Sequence, residues 1–259
     1  MQYIFMKFTT KPVLLDKKMK FITMTGMSRS GNHGFIRWLT AHYEEAGYSV
    51  YFYNNTVVAF LEHLNFVMPH VEKSVKKVLL VSLEDVAINQ RFSTLSSSAD
   101  HNILLVRDPA NLFASRLKGL APDRGLAIPE TASESERMMA ATLTHKSLPS
   151  QIEKYQNHYG EFCKSTNFLK KKICVSYNQW VVDEKYRRSI VEQDFGLSFS
   201  DSRYKTRAGS SFGSPPSSTE EYLDRWKTCW ENWVYDHVRS SKNLIDISKE
   251  FGVNFGGMA

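Results

Sequence analysis

Cysteine is scarce in this chain: Cys163, Cys174 and Cys229 are the only three among 259 residues, and no two stand close together. That spacing excludes a cysteine-based metal site and a disulfide framework, so a reducing compartment is expected. Long apolar runs are also missing. No stretch approaches the roughly 18–20 apolar residues that a membrane span requires. The opening MQYIFMKFTTKPVLL is apolar only in patches, broken by Lys7 and Lys11, and has no small-residue cleavage site. A secretory signal is therefore not expected, and the chain is read as soluble and cytoplasmic. There is no internal repeat and no coiled-coil heptad. The net charge of +6 and pI of about 9.1 suggest an anionic partner. Yet the basic residues are scattered, apart from Lys17-Lys18 and Lys170-Lys171-Lys172. With no continuous basic helix or recognition motif, nucleic acid is not the expected partner.

What is present is organised around Phe21 to Leu39, FITMTGMSRSGNHGFIRWL. An apolar run at 21–25 leads into a loop bounded by Gly26 and Gly31, then into Phe35, Trp38 and Leu39 at helical spacing. Strand, tight loop and helix in that order place backbone N–H groups and a helix N-terminus around an anion. Gly26-x-x-x-x-Gly31 has the spacing of a phosphate-binding P-loop, but the Lys-Ser/Thr pair that should follow is Asn32-His33. The lysine that reaches terminal phosphates and the hydroxyl that ligates Mg²⁺ are therefore both lacking. Arg29, inside the loop, supplies the charge. An anion that needs no divalent metal fits such a loop.

Further apolar runs of strand length are SVYFY (49–53), KVLLVSL (77–83), NILLV (102–106) and KICVSY (172–177). They alternate with helical patterns, which predicts an α/β fold: a three-layer, P-loop-type parallel sheet flanked by helices, with helical insertions. One domain over 1–259 is expected. Helices are predicted from Asn32 to Ala46 with Gly47 as the stop, at 56–66, and from Pro109 with Asp108 as its cap. A long helical region opens at Ser133-x-x-Glu136 and is interrupted by Pro149. Asn178 is expected to cap a helix reaching Phe195, and Asn54-Asn55 to form a turn or cap. Residues 119–129 are expected to form a loop. A helix from Ser218 or Thr219 would carry Trp226, Trp230 and Trp233 as a core stripe.

A second anion signal is LLVRDPANLFASR, Leu104 to Arg116. Arg107 falls at a strand's carboxyl end, where ligands bind in doubly wound sheets, and Ser115 follows eight residues later. The competing reading is an Arg-Asp pair that locks the strand–helix corner. Taken together, the two motifs resemble those of the sulfotransferase superfamily, whose donor is 3′-phosphoadenosine 5′-phosphosulfate (PAPS). Arg29-Ser30-Gly31 with its following polar pair is similar to that family's 5′-phosphosulfate loop, in the Arg-Ser-Gly form of carbohydrate sulfotransferases. Val106-Arg107-Asp108-Pro109 with Ser115-Arg116 is similar to its 3′-phosphate motif. Val175-Ser176-Tyr177 resembles the strand entering a late helix of the family. Gly209-Ser210-Ser211-Phe212-Gly213 with Arg225-Trp226-Lys227 resembles its C-terminal cofactor loop.

The resemblance implies a PAPS-dependent sulfotransferase acting by metal-independent in-line transfer, with adenosine 3′,5′-bisphosphate as product and a carbohydrate hydroxyl as acceptor. It assigns donor contacts to Arg29, Ser30, Gly31, Asn32, His33, Arg107, Ser115, Ser210, Ser211 and Phe212. Arg29 would stabilise charge on the departing phosphate oxygen. A general base should take the acceptor proton. His33 is the best placed for this and Glu62 is next, followed by His63 and His101. The alternatives are a P-loop kinase of a nucleoside or sugar, and a non-catalytic basic protein that binds nucleotide or nucleic acid. No sequence feature sets the oligomeric state.

Overall fold

The computed structural model describes residues 19–55, 76–119, 133–201, 223–229 and 236–253. Five strands form one sheet: β1 (Met19–Gly26), β2 (Tyr48–Asn55), β3 (Lys76–Glu84), β4 (His101–Val106) and β5 (Lys172–Ser176). Their spatial order is β2-β3-β1-β4-β5 and every pairing is parallel. β1 is central, so its C-terminal loop emerges between β3 and β4. Gly26 pairs with Glu84 on one side and Leu105 on the other. This is the P-loop-type α/β architecture that the alternation of apolar runs predicts.

Side-chain alternation sorts the core into two layers, one on each face. Ile22, Met24, Val78, Leu80, Ile103 and Leu105 face α1 (Asn32–Glu45), α5 (Tyr177–Val182) and the segment after it. Phe21, Leu79, Val81, Leu83, Leu104 and Val106 face the other way. There they meet α3 (Pro109–Gly119), α4 (Glu134–Phe162) and α8 (Lys242–Glu250). The remaining α-helices among the described residues are α2 (Gln90–Ser96), α6 (Glu184–Ser189) and α7 (Asp236–Arg239). The sequence pattern did not anticipate α2, α7 or α8.

The helix after the first loop runs as expected, and Gly47 with φ +80 ends it. Four expectations need correction. Pro149 lies inside a 29-residue helix and does not interrupt it. Leu148 and Tyr155, both 1 % exposed, anchor one face of that helix across the hydrogen bond that proline cannot donate. Ser176, not Asn178, caps α5, and the chain breaks at Asp183 into α6 and a π turn (Ile190–Asp194). Asn54 and Asn55 finish β2 where a turn or cap was expected; they are not a turn, and the helix they would cap lies outside the described residues. Arg225–Cys229 is a 3-10 turn where an α-helix was expected. Trp226 is nonetheless core, 2 % exposed against α3 and its neighbours. Trp230, Trp233, the 56–66 helix and nearly all of the 119–129 loop lie outside the described residues.

Candidate anion-binding site at the carboxyl edge of the sheet

The Gly26–Gly31 loop is folded tightly by its own backbone. Ser30 N–H donates to the Met27 carbonyl at 3.0 Å, and Arg29 and Gly31 take left-handed conformations (φ +72 and +95). Gly31 is obligatory on two counts. A side chain there would be strained, and a Cβ would lie 1.9 Å from Cε2 of Tyr177. In α1 the first amide to reach a carbonyl is that of Phe35, bonded to Gly31 O at 3.1 Å. The amides of Asn32, His33 and Gly34 precede it, at the positive end of the helix, as every helix start requires.

Asn32 is 3 % exposed. Its side-chain amide donates inward, to Met27 O at 3.1 Å and to Glu84 Oε1 at 3.0 Å. Both donors of that amide are therefore used within the protein. His33 is open to solvent, its side chain 54 % exposed, with Nε2 3.8 Å from Glu84 Oε1. Ser30 is 2 % exposed.

Two carboxylates at the end of β3 underlie the loop. Ser28 N–H donates to Asp85 Oδ1 at 3.2 Å. The single Ser28 hydroxyl proton has two acceptors, Asp85 Oδ2 at 2.7 Å and Glu84 Oε2 at 3.1 Å; the shorter contact wins. Asp85 also pairs with the Arg116 guanidinium from α3. Burial pushes the Asp85 carboxyl up, but Arg116 and the Ser28 bonds outweigh it and hold the group below the ordinary carboxylate value. Glu84 and Asp85 were missed from sequence. The signal was the position of an acidic pair closing KVLLVSL at a carboxyl edge.

Arg107 is 5 % exposed. Its Nη1 donates to the Arg29 carbonyl at 3.1 Å, and its guanidinium carbon lies 5.0 Å from the centre of the Tyr177 ring. The two anion motifs, far apart in sequence, are therefore in direct contact. The expected capping by Asp108 is observed: Asn111 N–H donates to its Oδ1 at 2.7 Å. The rest of its carboxylate is taken by the side chains of Asn111 and Asn178, so no Arg107–Asp108 lock is needed to hold the corner. Asn178 in turn accepts the Asp108 N–H at 3.2 Å. Ser115 is 3 % exposed on the same helix.

Asn111 also anchors the later chain. Its side chain donates to Leu223 O at 2.6 Å and accepts from Trp226 N–H at 3.1 Å. Arg225, 8 % exposed, thereby arrives at the first turn of α3. His101 begins β4 and pairs with Ile22, four residues below Gly26, or ~13 Å along the strand. It is removed from the loop and cannot serve there. Glu62, His63, Ser210, Ser211 and Phe212 lie outside the described residues. Among the described residues no cluster of three or more His, Cys, Asp or Glu could hold a metal ion. No described helix is long and apolar enough to cross a membrane.

The site therefore belongs to a P-loop-type α/β protein whose first loop presents helix-start amides beside arginines. No protein-family model matches the sequence, and no curated protein matches it. Among solved structures the chain is similar to the sulfotransferase domain from the Synechococcus PCC 7002 olefin synthase, at 11% identity and a TM-score of 0.45. That alignment covers 95% of this chain and 99% of the other.

Proposed function

We propose that this chain is a sulfotransferase that moves a sulfuryl group from PAPS to an acceptor hydroxyl, with a carbohydrate as the acceptor class. The observation that carries the reading is the contact between Arg107 and the Arg29 carbonyl. It joins an arginine-bearing loop with no Mg²⁺ hydroxyl to a second buried arginine, as an anion with two phosphate groups requires. The donor set is guanidinium and backbone N–H, which suits phosphate and sulfonate oxygens.

In the transfer, an S–O bond forms between acceptor oxygen and sulfur while the S–O bond to the 5′-phosphate breaks. Adenosine 3′,5′-bisphosphate leaves, and the acceptor proton passes to a base. Arg29 and the amides of the loop stabilise charge on the departing oxygen. Arg107 and Ser115 hold the 3′-phosphate. The proton acceptor is drawn from His33 and Glu84, neighbours at the mouth of the loop; Glu84 joins the earlier candidates on this geometry. The saccharide assignment rests on the Arg-Ser-Gly and Arg-Asp-Pro forms of the two motifs.

A second reading has one observation in its favour. Glu84-Asp85 closes the strand beside the loop, where nucleoside-triphosphate enzymes place a Mg²⁺-binding acid. Here Asp85 is bound by Arg116 and Ser28, and Glu84 by Asn32. Thermal melting separates the two. Adenosine 3′,5′-bisphosphate with EDTA should raise the melting temperature by binding the native state, and Arg107→Ala should abolish the rise. Stabilisation by Mg²⁺-ATP alone would replace the sulfotransferase reading with the kinase one.

A further inference from the structure

Asp85 follows β3 in the left-handed conformation, φ +55, and its backbone N–H donates to the Gly26 carbonyl at 3.1 Å. Its carboxylate turns back to hold both the amide and the hydroxyl of Ser28. Three hydrogen bonds thus staple the turn after β3 to the first half of the anion loop. The same carboxylate is gripped by Arg116, 7 % exposed, whose other arm donates to Gln151 of α4 at 3.0 Å. Arg116 stands next to Ser115 on the helix that follows Arg107. A cation belonging to the second anion motif is therefore used to fix the loop belonging to the first.

We propose that Asp85 and Arg116 are positioning residues that set the Gly26–Gly31 loop for its anion. They transmit the position of α3 to the loop through Ser28. The inference rests on the donor-site reading above and adds to it a mechanical coupling between the two halves of that site. Their part is to hold the loop through Ser28, not to bind the donor themselves. Asp85 draws the Ser28 amide away from the ligand, as Met27 does the Ser30 amide, and leaves the amides of the α1 start to face it. Without that pull the Ser28 N–H is free to rotate the turn that Ser30 closes onto Met27, and the later amides lose their common direction. A half-buried carboxylate left without its arginine would add a poorly compensated charge beneath an anion site.

The test measures the dissociation constant of adenosine 3′,5′-bisphosphate by calorimetry, well below the melting temperature, for Asp85→Asn, Arg116→Gln, Arg116→Lys, Ser28→Ala and the Asp85→Asn/Arg116→Gln double variant. Asp85→Asn and Arg116→Gln should each weaken binding ~10-fold, and the double variant should be no weaker than the worse single, because the residues act as one unit. Arg116→Lys, which keeps the charge opposite Asp85, should recover part of the loss. Ser28→Ala, the mildest change and the safeguard against misfolding, should lose ~3-fold. Variants that melt earlier but bind with unchanged affinity would show a structural role only and overturn the proposal. Failure of the unaltered protein to bind the bisphosphate would sink the sulfotransferase reading instead. The coupling would then be decided by amide hydrogen exchange: Asp85→Asn and Arg116→Gln should both speed exchange at Ser28 and spare β1, and unchanged protection at Ser28 would refute it.

Discussion

The Arg107 guanidinium donates to the carbonyl of Arg29 at 3.1 Å while lying over the ring of Tyr177, and the same ring closes against Gly31. One aromatic side chain thus braces an arginine from one motif and a glycine from the other. β1 and β4 are adjacent in the sheet, so the residues that leave their carboxyl ends meet. The consequences are measurable at several positions.

Arg107→Lys keeps the charge but loses the planar fork that reaches the Arg29 carbonyl and stacks on Tyr177. Affinity for adenosine 3′,5′-bisphosphate should fall ~10-fold or more, ~1.4 kcal/mol, and Arg107→Ala should bind too weakly to measure. Calorimetric titration decides this; equal affinity in the lysine variant would show that only charge matters.

Arg29→Ala should lower transfer from PAPS by ~10²–10³-fold, the usual loss of one donor aimed at developing negative charge. The readout is label transferred from sulfur-labelled PAPS to saccharide acceptors or released to water. A loss confined to donor KM, with kcat intact, would assign Arg29 to binding and not to the transition state.

Glu84→Gln should separate proton transfer from loop support. As a general base Glu84 contributes ~10²–10⁴-fold to kcat, whereas its bond from the Asn32 side chain also steadies the loop. Transfer is expected to fall much further than bisphosphate affinity. Equal losses in both would place the proton with His33, and His33→Ala would then show the larger kcat defect.

Gly31→Ala combines left-handed strain with the overlap on Tyr177. The backbone alone costs ~1–3 kcal/mol, so a total of at least ~2 kcal/mol is expected from urea unfolding. Adding Tyr177→Ala should remove the overlap, making the double variant less destabilised than the two singles summed.

His158 gives the chain an acid sensitivity. It is 1 % exposed, and its Nε2 lies 2.7 Å from the Val86 carbonyl, immediately after Asp85. That contact makes Nε2–H the donor and Nδ1 the unprotonated nitrogen. Burial lowers its pKa, against the opposing pull of the Val86 bond and Asp85. The unfolded chain therefore binds the proton more readily, so stability is full above the ordinary histidine value of ~6.5 and is lost as pH falls below it. Melting temperature should drop between pH 7.5 and 5, and His158→Gln should flatten that slope. His101, shifted the same way by burial and by Lys20, leaves a residual slope in the variant.

Much of the sheet was legible because buried parallel strands are continuous apolar runs. Residues 77–83 and 102–106 could scarcely be anything else, and Asp108-Pro109 marked its helix start without tertiary help. Local signals misled where packing outweighed propensity. Pro149 sits within a helix that is held by what its face buries. Asn178, a good helix-start residue, instead bridges to the Asp108 carboxylate across the β4–β5 edge.

Sequence by itself determined the order of the five strands along the chain, the Gly26–Gly31 loop with Arg29 inside it and Asn32-His33 where Lys-Ser/Thr would stand, and Arg107 at a second carboxyl end. These are local facts, set by apolar period, glycine spacing and residue chemistry within a few positions. Only the tertiary structure decided that Arg107 touches the Arg29 carbonyl, that Tyr177 closes on Gly31, and that Glu84 and Asp85 lie beneath the loop. It also decided that Arg116 turns to Asp85. Those contacts span 31 to 146 residues of chain, and they follow from the strand order β3-β1-β4-β5, which no local pattern encodes.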